Sequence, residues 1–407
     1  MNATARIAVL KFGGTSVATR EQRGVAYRRV RDSLEAGFAT VAVVSAMGRF
    51  PEPYATDTLL ALVEGRSESR NADLLLAAGE LIAAAVFAEE LAAEGVDAVA
   101  LSGAQAGIIT DARHGDATVL RVDPHVIHRV LQRGEVPVVA GFQGATEDGT
   151  ITTLGRGGTD LSAIAIGHAL EALRVDIYTD VSGAMTADPR RIASARTIER
   201  ASLSEMTELA DHGAKVMHYK AADYAHRTGT SYSVKGLHTD RGTLVDEAVD
   251  HHRAVTGVTA SGRLTWVRII RGDIESPRRR METELEMFRR IGDAGISIDQ
   301  VTINQAGVAF VVDGNRGSEI RGLLGDLNLA VRVREGCSKL SIVGAGMRGS
   351  PGVVHHVVDA LSRADVEIIH CTDSNITISI LVPASEVARA ESAVHEHFRL
   401  DREDPVV

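Results

Sequence analysis

Two glycine-rich stretches place a cation where an anion could be held. The first is Lys11-Phe12-Gly13-Gly14-Thr15-Ser16, directly after the apolar run Ile7-Ala8-Val9-Leu10. A short aliphatic run ending in Lys and a Gly pair reads as a buried strand that delivers backbone N–H groups and one cation to its carboxyl end. That end is where an open α/β sheet holds phosphates. The stretch has neither the G-x-x-x-x-G-K-[ST] spacing of a P-loop nor the G-x-G-x-x-G of a dinucleotide fold, so it reads as another kind of phosphate cradle or as a plain glycine turn. The second stretch is Thr152-Thr153-Leu154-Gly155-Arg156-Gly157-Gly158-Thr159-Asp160. An Arg between glycines at a helix N-terminus combines a bidentate anion clamp with free backbone donors and a favourable dipole. A polar loop alone accounts for the glycines but not for Arg156 and Asp160 beside them.

Two further places bear on chemistry. Glu80 lies inside Ala77-Ala78-Gly79-Glu80-Leu81-Ile82. An acid in an apolar helical stretch sits either on a solvated stripe, the commoner case, or inward with a cationic partner. Thr179 and Asp180 end the run Val175–Val181 and lead into Ser182-Gly183-Ala184-Met185-Thr186-Ala187-Asp188-Pro189-Arg190. This is a nucleotide pocket wall or a turn of similar composition.

The elements that would position these residues alternate. A strand at 7–10, a helix over 20–35 and a strand at 40–44 ending in Ser45-Ala46-Met47-Gly48 set up a parallel α/β sheet with two small polar loops at one edge. Helices are expected from Thr56, over 73–94 and near 123–132, and strands at 98–101, 107–110 and 136–142. A small-residue helix over 161–172 can pack closely on the sheet. Helices around 203–210 and 214–228, the second opening at Gly213-Ala214-Lys215, precede strands at 231–235 and 242–245. The apolar periodicity then lapses, which sets a domain boundary near 246–254. Beyond it a helix–strand–strand–helix pattern occurs twice, with Ile296 answering Val366 and Val308 answering Ile378 at the same spacing. Two ferredoxin-like βαββαβ units account for it.

A chain of 407 residues calls for two or three domains. With 44 basic against 54 acidic residues and a net charge of -10, and no dense basic block beyond Arg278-Arg279-Arg280, nucleic acid is not an expected partner. The first residues carry no leader pattern and no apolar stretch is long enough to span a bilayer, so a cytoplasmic protein is expected. Cys337 and Cys371 are far apart, without C-x-x-C spacing, and read as buried small hydrophobes. No metal site is expected from protein ligands.

In order along the chain, KFGGTS at 11–16, VVSAMG at 43–48, the GE of Glu80, LGRGGTD at 154–160, TDVSGAMTADPR at 179–190 and GAKVMH at 213–218 resemble the aspartate kinases of the amino-acid kinase family. The C-terminal repeat resembles that family's tandem ACT domains, with Ser341–Met347 followed by Ser350-Pro351-Gly352-Val353 in the second unit. The resemblance implies an α/β fold, a mainly parallel sheet sandwiched by helices at 1–248, then ACT-like units at 254–334 and 335–407. It implies transfer of a phosphoryl group from ATP to the side-chain carboxylate of L-aspartate, giving 4-phospho-L-aspartate for lysine, diaminopimelate, threonine and methionine synthesis.

By the same resemblance Lys11 stabilises charge on the transferring group and Asp160 orients Lys11 or other donors around it, Arg156 clamps the substrate α-carboxylate, Glu80 reads the α-amino group, and Ser45 and Thr159 add hydroxyls. Lys11, Gly13, Gly14, Thr15, Thr179, Asp180, Met185, Arg190 and Lys215 match ATP contacts, and Mg²⁺ would enter with ATP. An effector amino acid would bind around Met347, Ser350, Pro351, Gly352, Val353, Asp373, Ser374 and Asn375, and a homodimer would cover the exposed ACT sheet edges. Two departures, Tyr219 in place of the family's proline and the stretch Lys235-Gly236-Leu237-His238, lie at the nucleotide end. They leave a second expectation, an amino-acid sensor whose kinase domain has lost turnover. A kinase of glutamate, acetylglutamate or a nucleoside monophosphate fits the Arg156 and Glu80 context less well.

Overall fold

The run IAVLKF forms the central strand β1 (Ile7–Phe12), buried along its whole length. Side chains of a strand alternate between faces. Ala8, Leu10 and Phe12 enter one core with α1 (Arg20–Glu35) and α3 (Arg70–Ala93), and the intervening residues, Lys11 among them, point to the other face. The computed structural model describes residues 6–214, 216–247, 253–270, 277–327 and 329–402. The chain divides into two units, residues 1–186 with 196–250 and residues 187–195 with 251–407.

In the first unit β1 pairs in parallel with β2 (Ala39–Val44) on one side and with a strand at 174–179 on the other. Between them in sequence lie α2 (Thr56–Ala61), β3 (Ala98–Leu101), β4 (Ile108–Thr110), β5 (Val119–Val122), α4 (His125–Gln132), β6 (Val136–Ala140), β7 (Gln143–Ala145), β8 (Ile151–Thr153) and α5 (Gly158–Ala169). The strand at 174–179 is β9 (Arg174–Thr179), and β10 (Arg200–Ala201), α6 (Leu203–Asp211), α7 (Tyr219–Thr228), β11 (Tyr232–Gly236) and β12 (Gly242–Val245) follow. The eight-stranded sheet runs β10-β12-β11-β9-β1-β2-β6-β3, parallel from β11 to β3, with β12 antiparallel to β11. Its helices cover both faces, α5 lying on the face to which Lys11 points. A second sheet, β5-β4-β7-β8, is made of strands of three or four residues.

The second unit contains β13 (Gly257–Ile270), α8 (Pro277–Asp293), β14 (Ile298–Asn304), β15 (Gly307–Asp313), α9 (Gly317–Leu324), β16 (Ala330–Val343), α10 (Val353–Arg363), β17 (His370–Asp373), β18 (Thr377–Pro383) and α11 (Val387–His397). β13 and β16 pair along their whole length, with register shifts around Leu264. The later half of β13 pairs with β15, and the later half of β16 pairs with β18. Two helix-covered half-sheets therefore share one long antiparallel pair of strands. One core joins Val267, Met287, Val308, Phe310 and Ile320, and the other joins Val258, Ile342, Val357, Ile378 and Val394. Val308 and Ile378 occupy equivalent places, as the sequence repeat anticipates. The second core also draws in Ala254 and Val255 from ahead of the first half-sheet.

The stretch 257–270, to which the sequence assigns no element, is a 14-residue strand. One reading needs correction. Cys337 is buried, but Cys371 is exposed, because it lies on the edge strand β17.

Candidate active site

Lys11 emerges toward the first turn of α5, where its ammonium meets the Asp160 carboxylate at 2.6 Å. Both side chains are largely buried, so the pair is sheltered from solvent screening. Of the two glycines beside Lys11, Gly14 is required by close approach, whereas a Cβ on Gly13 would meet nothing nearer than 3.4 Å. A Cβ on Gly14 would stand 2.7 Å from the Ala46 carbonyl oxygen, because the 45–48 loop folds over the 13–16 turn and the Gly48 N–H donates to the Gly14 oxygen at 3.0 Å. The loop after β8 turns twice through positive φ, at Gly155 and Gly157, and this turns Arg156 outward between them.

Lys11, Ser45, Glu80, Arg156, Thr159 and Asp160 all line one cleft of about 370 Å³, joined by Thr56 and Phe142. Glu80 is 1% exposed. Its Oε1 accepts a bond from the Ala46 N–H at 3.3 Å, and its Oε2, among the described residues, has no hydrogen-bond partner. Burial is the largest influence on this carboxyl and pushes its pKa up to about 8, against the lowering effect of the Ala46 N–H. The inward alternative thus holds for Glu80, without a cationic partner among the described residues. Arg156 is exposed and makes no ion pair among the described residues. Besides the Lys–Asp pair the cleft therefore carries a buried carboxyl and a guanidinium that make no ion pair among the described residues, groups that the ammonium and carboxylate of an α-amino acid complement.

Thr179 ends β9 next to the carboxyl end of β1, and Gly236 pairs with it in β11. Asp180 is exposed and held by Arg49 at 2.9 Å. Met185 bridges to Thr197. Tyr219 opens α7 and is exposed. Arg190 falls in the segment 187–195, which belongs to the second unit, and there Asp188 holds its guanidinium at 2.7 and 2.9 Å. That pairing draws the Asp188 pKa down to about 2. Lys215 lies outside the described residues. In the second unit, Val343 pairs with Thr377, so the turn 344–352 and the turn 374–376 lie together at one end of the second half-sheet. The Gly344 N–H donates to the Ile376 oxygen at 2.9 Å, joining the two turns.

A family model described as the amino acid kinase family matches residues 6–235, and an ACT domain model matches 340–398. Aspartokinase 1 of Bacillus subtilis (strain 168) is 39% identical to this chain, covering 98% of it and 100% of the relative. The chain belongs to the aspartokinases. The aspartokinase of Geobacillus stearothermophilus is 37% identical over 98% of this chain and 99% of its own. Among solved structures, E. coli aspartokinase III in complex with aspartate and ADP is 25% identical, with a TM-score of 0.76 over 97% of this chain and 100% of that one. The same E. coli protein in complex with lysine and aspartate gives a TM-score of 0.72, covering 96% of this chain and 99% of that one.

Sequence reasoning did not single out Asp73, which is fully buried on α3. It stands seven positions before Glu80, on the same helix face two turns away. That spacing of two acids within an apolar helix was the available signal.

Proposed function

We propose that this aspartokinase transfers the γ-phosphoryl group of ATP to the side-chain carboxylate of L-aspartate, giving 4-phospho-L-aspartate. The observation that carries the reading is the cleft that Glu80 and Arg156, neither in an ion pair among the described residues, line together with the Lys11–Asp160 pair. A free carboxylate has a pKa of about 4, so the nucleophile is already ionised at neutral pH and no general base is needed. The work is to bring an anion up to a polyphosphate, which calls for fixed cations and donors.

In this reading Glu80 receives the α-ammonium group, Arg156 the α-carboxylate, and the Ser45 and Thr159 hydroxyls steady the substrate. Lys11 meets charge building on the transferred group, and Asp160 holds its ammonium in place until then. Gly13, Gly14 and Thr15 admit the phosphates, and the family resemblance assigns Thr179, Asp180, Met185, Arg190 and Lys215 to the nucleotide. Mg²⁺ arrives as part of Mg-ATP, held by phosphates and water. The enzyme is a cytoplasmic homodimer serving the lysine, diaminopimelate, threonine and methionine branches. The exposed Val301 and Ile303 on the edge strand β14 support a second copy there. An effector amino acid binds at the paired turns around Met347–Val353 and Asp373–Asn375. Residues 1–248 form the catalytic domain, and 254–334 and 335–407 the two ACT units.

Replacing Lys11 with Ala lowers the turnover number by about 10²–10³-fold while circular dichroism stays unchanged. Near-normal turnover would remove Lys11 from the mechanism. The identity to curated aspartokinases over nearly the whole chain favours the enzyme over a sensor without turnover.

A further inference from the structure

The loop that presents Arg156 is held by polar contacts for which the reading above has no use. Asp73, in the first turn of α3, is 0% exposed. Its Oδ1 accepts from the Gly115 N–H at 3.0 Å and from the Thr153 hydroxyl at 2.5 Å, and its Oδ2 meets His114 Nδ1 at 2.6 Å. Thr153 is the last residue of β8, the strand that feeds the Arg156 loop. His114 and Gly115 belong to the turn that packs over that loop from outside. A Cβ on Gly155 would stand 2.4 Å from Asp116 Oδ1 and 3.2 Å from the Gly115 carbonyl oxygen.

On the other flank, a Cβ on Gly157 would stand 2.1 Å from the His218 Cβ. Lys220, in the first turn of α7, closes the frame by pairing with Asp116 and reaching the Leu154 carbonyl at 3.5 Å. Arg156 has no ion pair of its own among the described residues, so its direction is set by the backbone on which it stands. That backbone is gripped on both sides, and one grip runs back to a single buried carboxylate.

An apolar residue would pack in α3 without the desolvation cost of a carboxylate. What Asp73 adds is geometry: three bonds tie the strand before the loop and the turn above it to one rigid helix, which also carries Glu80. We infer that Asp73 is a positioning residue for aspartate binding, acting through Thr153 and the His114–Gly115 turn to aim Arg156 at the substrate α-carboxylate. The inference rests on the reading of Arg156 as that clamp. Because α3 carries both Asp73 and Glu80, the spacing between the two charged ends of the cleft is fixed from one element, and displacements of about 1 Å in such sites cost as much as 10²-fold.

The test is steady-state kinetics on the full chain with aspartate and Mg-ATP varied separately. Asp73→Asn raises the KM for aspartate about tenfold and leaves the KM for ATP within twofold. Thr153→Val shifts the aspartate KM in the same direction by a smaller factor, and Thr153→Ser, which keeps the hydroxyl, restores it. Combined with Arg156→Ala, the Asp73→Asn change adds no further rise, since nothing is left to aim. If Arg156→Ala raises the aspartate KM while Asp73→Asn and Thr153→Val do not, the inference falls and the clamp reading stands. If Arg156→Ala leaves that KM unchanged, both fall. A parallel rise in both KM values, or a full additive effect in the double variant, reduces Asp73 to a structural residue and overturns the inference. Should Asp73→Asn not fold, the Thr153 pair and its combination with Arg156→Ala decide alone.

Discussion

Glu80 in the first unit and Glu391 in the second are both buried glutamates on helices that pack against a sheet, yet their surroundings treat them differently. Glu391, on α11, is 0% exposed and faces Arg191 Nε at 3.0 Å. Burial pushes its pKa up to about 7, Arg191 acts to lower it, and Asp188 opposes. Glu80 rises to about 8, also through burial, with no cation against it among the described residues. The described residues thus supply a cation to one glutamate and none to the other. A buried acid without a cationic partner is a cost that folding alone does not explain, and the ammonium group proposed to bind there would offset it.

The contrast is broken or sharpened most strongly by exchanging each carboxyl for its neutral isostere. Glu80→Gln loses a buried charge-assisted bond of about 2–3 kcal/mol and raises the KM for aspartate about 30–100-fold. Glu391→Gln changes that KM less than twofold, and equal effects would dissolve the distinction.

A second consequence concerns protons. With its pKa near 8, Glu80 is mostly protonated at pH 7 in the free enzyme, and an ammonium partner favours the carboxylate. Binding of aspartate at pH 7 then releases close to one proton, seen by calorimetry in buffers of different ionisation enthalpy, and the affinity rises with pH up to about 8. Absence of release, or release that persists in Glu80→Gln, contradicts the assignment.

The smallest effect is on stability. An acid whose folded pKa is raised above its unfolded value of 4.5 costs nothing below 4.5 and destabilises progressively as pH rises to the folded value. The cost therefore builds between about 4.5 and 8 for Glu80 and between about 4.5 and 7 for Glu391. The ligand-free Glu80→Gln variant melts a few degrees above the parent at pH 9, on the order of 1–2 kcal/mol, and matches it near pH 4.5. Glu391→Gln shows the same sign and a smaller shift.

The parts legible in the sequence are those carried by contiguous residues. Lys11 with its glycines and Arg156 with its glycines declare themselves because a cradle needs cation and backbone together. The direction of Glu80 is not legible, because α3 is apolar almost all round. Leu74, Leu81 and Ile82 are exposed, whereas Asp73 and Glu80 are buried, the reverse of what hydrophobic patterning gives. The small sheet that steadies the Arg156 loop is built of strands too short to show a period. β13 escaped notice because Ser261-Gly262-Arg263 interrupts its alternation where the register shifts. The repeat was visible because both halves bury equivalent residues, but the sharing of one pair of long strands between them is a long-range pairing that no local window contains.

That shared pair of strands makes one half of the second unit a passenger in the other. Gly257–Gly262 pair with Ser338–Val343, so the half-sheet built on α10 and α11 is opened by residues made before the intervening half and closed by residues made after it. As the chain leaves the ribosome, the inner half can complete itself first, while the outer half must hold an unpaired strand in waiting. The inner half is thus a natural guest: an insertion whose sequence could drift toward another ligand while the host around it keeps its own.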